Sequence, residues 1–152
     1  SEMCIRDSIC TGNKFSQGEE DKLSKLHIKN KTLQINASDK ELSELYTRAS
    51  LFVFPSLYEG FGIPILEAYA CHCPIAISNT SCFPEIAGDA AIYFDPYSVK
   101  DIANTIEAII YNPQKANELI QKGIKRLELY SWEKTVVETE ETYKKAIQGY
   151  NF

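Results

Sequence analysis

The sequence lacks any run of apolar residues close to the roughly 18 that a membrane-spanning helix requires, although 44% of its 152 residues are hydrophobic. It also lacks a surplus of basic residues, because 16 Lys and Arg stand against 21 Asp and Glu, for a net charge of −5. Proteins that bind nucleic acid need a positive surface to neutralise phosphates. We therefore expect a soluble globular domain without a nucleic-acid partner, for which peripheral contact with a membrane stays open.

Cysteine is present in an odd number, without the even count of a disulfide framework. The five cysteines are Cys4, Cys10, Cys71, Cys73 and Cys82. In a mixed α/β sequence this count favours reduced thiols and a cytoplasmic location. Within the cytoplasm, a place at the inner face of the membrane stays open. Cys71-His72-Cys73 has the residue types of a zinc site, but no second ligand pair lies at zinc-site spacing. We interpret these residues as small fillers at a helix-to-strand junction and expect no metal.

Strand-like and helix-like segments alternate along the chain. We predict strands over residues 8–11, 32–35, 51–54, 74–78 and 91–94. We predict helices over residues 18–26, 39–49, 64–71, 83–88, 98–111, 112–130 and 132–147. This alternation predicts right-handed βαβ units in a doubly wound, Rossmann-like parallel sheet that includes residues 8–152. The strand over 51–54 is apolar on both faces, which is typical of a central strand. Residues 1–7 do not fit the pattern, and we expect them to be foreign to the fold or disordered.

The segment over residues 59–67 combines two glycines with the start of a helix. Gly60 and Gly62 let the backbone approach a ligand closely and adopt positive φ. The N–H groups around Gly62, Ile63 and Ile65 are expected to lack intrahelical partners. Together with the helix dipole, they predict an anion site suited to a diphosphate.

Two carboxylates flank these glycines, Glu59 in the loop and Glu67 in the helix. Carboxylates repel phosphate but accept strong hydrogen bonds from hydroxyl groups. A ligand with hydroxyls on both sides of a diphosphate is a nucleoside diphosphate sugar, so we place the sugar at Glu59 and the ribose at Glu67. Taken alone, each carboxylate also fits an ordinary surface charge; the combination carries the hypothesis.

The segment 56–68, Ser-Leu-Tyr-Glu-Gly-Phe-Gly-Ile-Pro-Ile-Leu-Glu-Ala, resembles the Glu-x7-Glu signature of retaining GT-B glycosyltransferases. These belong to glycosyltransferase family 4, the "glycosyl transferases group 1" type. Further matches lie over residues 45–49, 74–79, 84–91 and 130–133. The resemblance extends from about Cys10 to the C-terminus and covers most of the donor-binding half of the family's two-domain fold. His72 departs from the pattern, because the family usually has glycine there.

The resemblance implies that Glu59 is the catalytic residue and stabilises charge at the transferred sugar. It also implies a set of donor-binding residues, namely Gly60, Phe61, Gly62, Ile63, Glu67, Asn36 and Ala37. In this set, backbone groups of Phe61 and Gly62 touch the sugar and the Ile63 amide touches the diphosphate. Glu67 binds the ribose, and backbone near Asn36-Ala37 borders the base.

The resemblance further implies the reaction and the partners. A hexose moves from a GDP- or UDP-linked donor to a saccharide or lipid-linked acceptor with retention of configuration, as in the biosynthesis of cell-envelope polysaccharides. Neither a metal nor another cofactor is expected, and the sequence has no Asp-x-Asp motif in a suitable loop. The N-terminal acceptor domain is missing from this chain, so we expect the fragment to be inactive alone. The last helix, over residues 132–147, is expected to expose part of its apolar face because in the family it returns towards that domain.

Three other functions are alternatives for a sequence of this pattern. An NAD-dependent oxidoreductase needs Gly-x-Gly-x-x-Gly after its first strand, and Thr11-Gly12-Asn13-Lys14 lacks that spacing. A non-catalytic module that binds sugar nucleotides would keep Glu67 and the loop but not turn over. A GT-B enzyme resembling the α-glucan synthases would differ in its acceptor.

Overall fold

The computed structural model describes residues 8–149, and the prediction for residues 1–7 lies outside this range. The strands are β1 (Ser8–Thr11), β2 (Thr32–Ile35), β3 (Phe52–Phe54), β4 (Ile75–Ser78) and β5 (Ile92–Phe94). The helices are α1 (Gln17–Lys25), α2 (Asp39–Arg48), α3 (Ile63–Ala70), α4 (Phe83–Ala87), α5 (Val99–Ile110), α6 (Pro113–Leu127) and α7 (Trp132–Gly149). Each predicted element is present, and its ends shift by only a few residues.

The chain forms two compact units that meet in sequence between Glu44 and Leu45. In the first unit, β1 and β2 form a parallel pair in which Ser8 lies opposite Thr32. The helix between these strands begins at a full capping box. The Ser16 side chain accepts from the Glu19 N–H, and the Glu19 carboxylate accepts from the Ser16 N–H. These contacts, which hold α1 at its first turn, depend on residues close in sequence.

The second unit contains a parallel three-stranded sheet in the order β3-β4-β5. Phe52 lies opposite Ile75, and Ala76 lies opposite Ile92. All four residues of β4 are buried, whereas β3 is only half-buried. The central strand of this sheet is therefore β4, and β3, which we predicted as central, lies at one end of it. The prediction of an α/β fold with parallel sheets is confirmed.

The core of the second unit lies between its sheet and its helices. Ala76, Phe94, Ile109 and Leu119 form a buried cluster that joins β4 and β5 to α5 and α6. Ser98 caps α5 by accepting a hydrogen bond from the Asp101 N–H at 3.2 Å. A full capping box does not form here, since the Asp101 carboxylate accepts from the Asp95 N–H and not from the Ser98 N–H.

The turn from α3 into β4 explains why glycine suits the position of His72. This residue has a φ of 57°, in the left-handed region that favours glycine. Its side chain is exposed, so histidine adds no steric contact that would prevent the turn. The turn is therefore kept despite the change of residue type.

The last helix, α7, has no buried residue. Its exposed apolar side chains are Trp132, Val136, Val137, Tyr143 and Ile147, so the expected exposure is confirmed. No helix within residues 8–149, including α7, has the length and hydropathy of a membrane span.

Candidate functional site

Two loops meet at the carboxyl edge of the three-stranded sheet. The glycine loop (residues 55–62) leads from β3 to α3, and the 79–82 segment leads from β4 to α4. Because β3 and β4 are parallel neighbours, both loops leave the sheet at the same edge. This edge is where ligands bind in open α/β sheets.

Hydrogen bonds hold both the side chain and the backbone of Glu59 within this edge. Its carboxylate Oε1 accepts a hydrogen bond from the Ser56 hydroxyl at 2.9 Å. Its backbone N–H donates to Ser81 Oγ at 3.3 Å. The side chain is half-buried, so Glu59 is oriented by the protein yet remains reachable from solvent.

The two glycines of the loop have different roles. Gly62 has a φ of 92°, and a Cβ at this position would lie 3.1 Å from Phe83 Cε1 and 3.2 Å from Ile65 Cδ1. Gly60 lacks positive φ, and a Cβ there would meet nothing within 4 Å. The prediction of positive φ is therefore confirmed for Gly62 and wrong for Gly60, which instead leaves open space beside the loop.

The first turn of α3 offers fewer free donors than we predicted. The Ile65 N–H donates to the Gly62 carbonyl at 2.9 Å, so it is not free to bind an anion. Pro64 has no N–H. Within residues 8–149, the N–H groups of Gly62 and Ile63 make no hydrogen bond. The potential anion site is thus reduced to these two donors, because the first turn of α3 closes with a hydrogen bond between residues three positions apart.

Glu67 lies on α3 with an exposed side chain. The hydroxyl of Tyr46, a buried residue on α2, donates to Glu67 Oε2 at 3.4 Å. Tyr46 packs edge-on against Phe52 with ring centroids 5.1 Å apart. Burial, and then the Glu67 charge, raise the pKa of Tyr46 well above its ordinary value. Tyr46 therefore stays protonated and orients the carboxylate, a role that no local pattern indicated.

Phe61 is braced by an aromatic contact from the end of α6. Its ring lies edge-on to Tyr130, with centroids 5.7 Å apart. The Tyr130 hydroxyl donates to the Ile86 carbonyl at 3.2 Å, and Arg126 Nε donates to the same carbonyl at 2.9 Å. The glycine loop is thus tied to the end of α4, where helix carbonyls lack intrahelical partners.

The structure divides the predicted site residues between the two units. Asn36 and Ala37 follow the carboxyl end of β2 in the first unit, and the other predicted residues lie in the second. The first unit also carries a cleft of about 310 Å³. Its lining residues are Lys14, Phe15, Glu20, Leu23, Lys29, Thr32 and Gln34, none of which we predicted to bind a donor.

Metal ligands are not grouped in the described part of the chain. Within residues 8–149, no three His, Cys, Asp or Glu side chains are placed to hold an ion together. Cys73 is buried, and its thiol lies 3.5 Å from the Pro74 carbonyl, in keeping with a packing role. A metal-independent reaction remains a prediction.

Comparison with known proteins shows the family to which the chain belongs. The family model described as "Glycosyl transferases group 1" matches residues 9–126, and the chain belongs to this family. It is 38% identical over 106 residues to the O-antigen chain mannosyltransferase B of Escherichia coli, covering 70% of this chain and 28% of that enzyme. The chain thus spans less than a third of this relative's length.

Solved structures share the fold at lower identity. Sucrose-phosphate synthase from Thermosynechococcus elongatus has a TM-score of 0.79 at 23% identity, over 93% of this chain and 38% of that one. Anabaena HepE, solved in complex with UDP and glucose, has a TM-score of 0.77 at 18% identity, over 91% of this chain and 40% of that one. The chain therefore has the Rossmann-like half of a GT-B fold, as predicted.

Proposed function

We propose that this chain is the donor-binding part of a retaining hexosyltransferase of glycosyltransferase family 4. It would bind a nucleoside diphosphate hexose whose sugar is passed to a saccharide or lipid-linked acceptor. The observation that carries the proposal is the arrangement over residues 59–67 at the carboxyl edge of the sheet. There, the free N–H groups of Gly62 and Ile63 lie in sequence between Glu59 and Glu67. A hydrogen bond from Ser56 orients the first carboxylate, and one from Tyr46 orients the second.

Each part of this arrangement suits one part of the donor. The N–H groups of Gly62 and Ile63 bind the diphosphate, which the positive end of the α3 dipole also favours. Glu67, oriented by Tyr46, accepts hydrogen bonds from the ribose hydroxyls, and each bond to a charged group contributes about 1.5–3 kcal/mol.

Glu59 acts at the sugar end. Departure of the nucleoside diphosphate leaves positive charge on the anomeric carbon, and a fixed carboxylate stabilises this charge in the transition state. The open space beside Gly60 and the backbone of Phe61 and Gly62 accommodate the hexose. We assign Glu59 an electrostatic role and expect no metal ion at the diphosphate.

Mannose is the first candidate for the transferred sugar. The E. coli relative is a mannosyltransferase of O-antigen chains, and the HepE structure holds UDP and glucose. These names support a hexose as the transferred group, UDP as one candidate nucleotide and cell-envelope polysaccharide as the product; a GDP-linked donor is the other candidate. The chain spans 28% of the E. coli enzyme, so we place the acceptor on a further N-terminal domain of the complete protein. That protein would act in the cytoplasm, at the inner face of the membrane.

Nucleotide binding by this chain tests the proposal directly. We expect GDP or UDP to raise the melting temperature, and titration calorimetry with that nucleotide should give one site per chain. The Glu67→Ala variant should bind it more weakly. Absence of binding by GDP, UDP and ADP, together with their mannose and glucose derivatives, would overturn the proposal.

Transfer assays then separate an enzyme from a binding module. The complete protein should transfer a labelled hexose with retained configuration, whereas the 152 residues alone should not. Nucleotide binding without transfer by the complete protein would favour the non-catalytic module.

A further inference from the structure

The 78–82 segment (Ser-Asn-Thr-Ser-Cys) contacts the backbone of the chain that leaves β3. Its side chains donate hydrogen bonds to carbonyls more than 20 residues earlier in sequence. These are Ser78 Oγ to Phe54 O at 3.4 Å, Thr80 Oγ1 to Ser56 O at 3.5 Å, Ser81 Oγ to Glu59 O at 2.8 Å, and Cys82 Sγ to Phe61 O at 3.2 Å. Cys82 Sγ also lies 3.3 Å from the Glu59 carbonyl, which Ser81 shares, so one loop holds the other along its length.

The contact of Ser81 with Glu59 differs from the others because it is reciprocal. The Ser81 hydroxyl oxygen accepts from the Glu59 N–H at 3.3 Å and donates its own hydrogen to the Glu59 carbonyl at 2.8 Å. One side chain therefore engages both backbone polar groups of Glu59. Ser56 holds the Glu59 carboxylate at the same time, so both the backbone and the side chain of this residue are fixed.

Ser81 adopts a backbone conformation that serine rarely takes. Its φ is 55°, in the left-handed region where glycine is favoured. Glycine would relieve this strain, and what serine adds at the position is the hydroxyl that contacts Glu59. Strained residues of this kind cluster at functional sites, where the surrounding structure keeps them in place.

We propose that Ser81 is a positioning residue that sets the place of Glu59 for sugar transfer. This proposal rests on the proposed function, because it needs Glu59 to act at the sugar. Ser81 acts through Glu59 and need not touch the donor. Its side chain is exposed, so water can replace its hydrogen bonds, and the contribution to folding stability is small. The contribution to catalysis is larger, since a displacement of a catalytic group by about 1 Å can lower the rate about 10²-fold.

The Ser81→Gly variant of the complete enzyme tests this. Glycine keeps the left-handed backbone and removes only the hydroxyl. We expect kcat to fall about tenfold, while the donor KM and the Kd for the free nucleotide change less than about twofold. The melting temperature should stay unchanged or rise. His72→Gly is a matched control, because His72 has a φ of 57° at the amino end of β4, and it should leave kcat unchanged.

A double-mutant cycle with Glu59→Gln shows whether Ser81 acts through Glu59. Glu59→Gln alone should lower kcat by about 10²- to 10³-fold. Adding Ser81→Gly should then lower kcat no further, because the negative charge that Ser81 positions is already absent. An unchanged kcat in Ser81→Gly, or a full additional loss in the double variant, would overturn the proposal.

The cycle also distinguishes the two proposals. If Glu59→Gln impairs transfer but Ser81→Gly does not, only the positioning role fails. If Glu59→Gln leaves kcat unchanged, the assigned role of Glu59 fails and that of Ser81 falls with it. Nucleotide binding, measured by calorimetry, then tells whether the donor site itself is correctly assigned.

Discussion

Gly123 on α6 lies directly against the ring of Tyr69 on α3. A Cβ at Gly123 would come within 2.5 Å of Tyr69 Cδ1, closer than non-bonded carbon atoms approach. Tyr69 is 2% exposed, and burial raises its pKa well above the ordinary value. Because α3 begins at the glycine loop, this close approach fixes the helix whose first turn forms the proposed anion site.

Replacing Gly123 by Ala should therefore destabilise the protein. Alanine favours helix by about 1 kcal/mol relative to glycine, but overpacking against a buried ring costs about 1–3 kcal/mol. We expect a lower free energy of unfolding in urea denaturation. Gly18→Ala in α1 is the matched control, since a Cβ there meets nothing within 4 Å, and it should not destabilise. A Gly123→Ala protein as stable as the wild type would contradict the packing described here.

Gly62→Ala should disturb both the fold and the donor site. The positive φ strains alanine, and its Cβ would press on Phe83; each effect costs about 1–3 kcal/mol. Denaturation should report this loss, and calorimetry should report weaker nucleotide binding. Gly60→Ala serves as the control for stability, because its backbone is not left-handed and its Cβ position is open. Equal stability of the two variants would count against the distinction drawn between these glycines.

Glu67→Ala should weaken binding of the free nucleoside diphosphate by about 1.5–3 kcal/mol. Tyr46→Phe removes the hydroxyl that orients Glu67, and its effect should be smaller, about 0.5–1.5 kcal/mol. Titration calorimetry measures both. Glu107→Ala removes an exposed carboxylate from α5 and should leave the affinity unchanged. If Glu67→Ala matched this control, the ribose would have to bind elsewhere.

Alkaline pH should destabilise the second unit through its buried thiol. Burial raises the pKa of Cys73 from about 9 to about 12. Since the folded state favours the neutral thiol, its contribution is complete below pH 9 and is lost as the pH rises towards 12. Near pH 10.5 the loss is about 2 kcal/mol.

Urea denaturation at pH 8 and pH 10.5 measures this effect. Burial also raises the pKa of Tyr93 to about 12, so part of the pH dependence remains without the thiol. Cys73→Ala should reduce the difference between the two pH values. The same difference in both proteins would rule out the contribution of Cys73.

Several features of the fold were predictable because their causes are local. Ser16 and Ser98 start helices through contacts with residues three positions later, and Pro113 follows its cap Asn112 directly. Such signals act within one turn, so they place the elements to within a few residues. The proposed roles of Glu59, Gly62 and Glu67 could also be predicted from sequence, because these residues belong to one continuous segment.

The sequence by itself determined the alternation of strands and helices and the chemical types gathered between Glu59 and Glu67. Only the tertiary structure decided that β4 is central in its sheet, that the Ile65 N–H is occupied, and that Tyr46 and Ser81 support the two carboxylate residues. Tyr46 and Ser81 lie about 20 residues from their partners. The Ser81 contact arises because parallel strands bring two distant loops to one edge of the sheet, and the Tyr46 contact joins helix α2 to helix α3. The residue spacing within a single segment predicts neither contact.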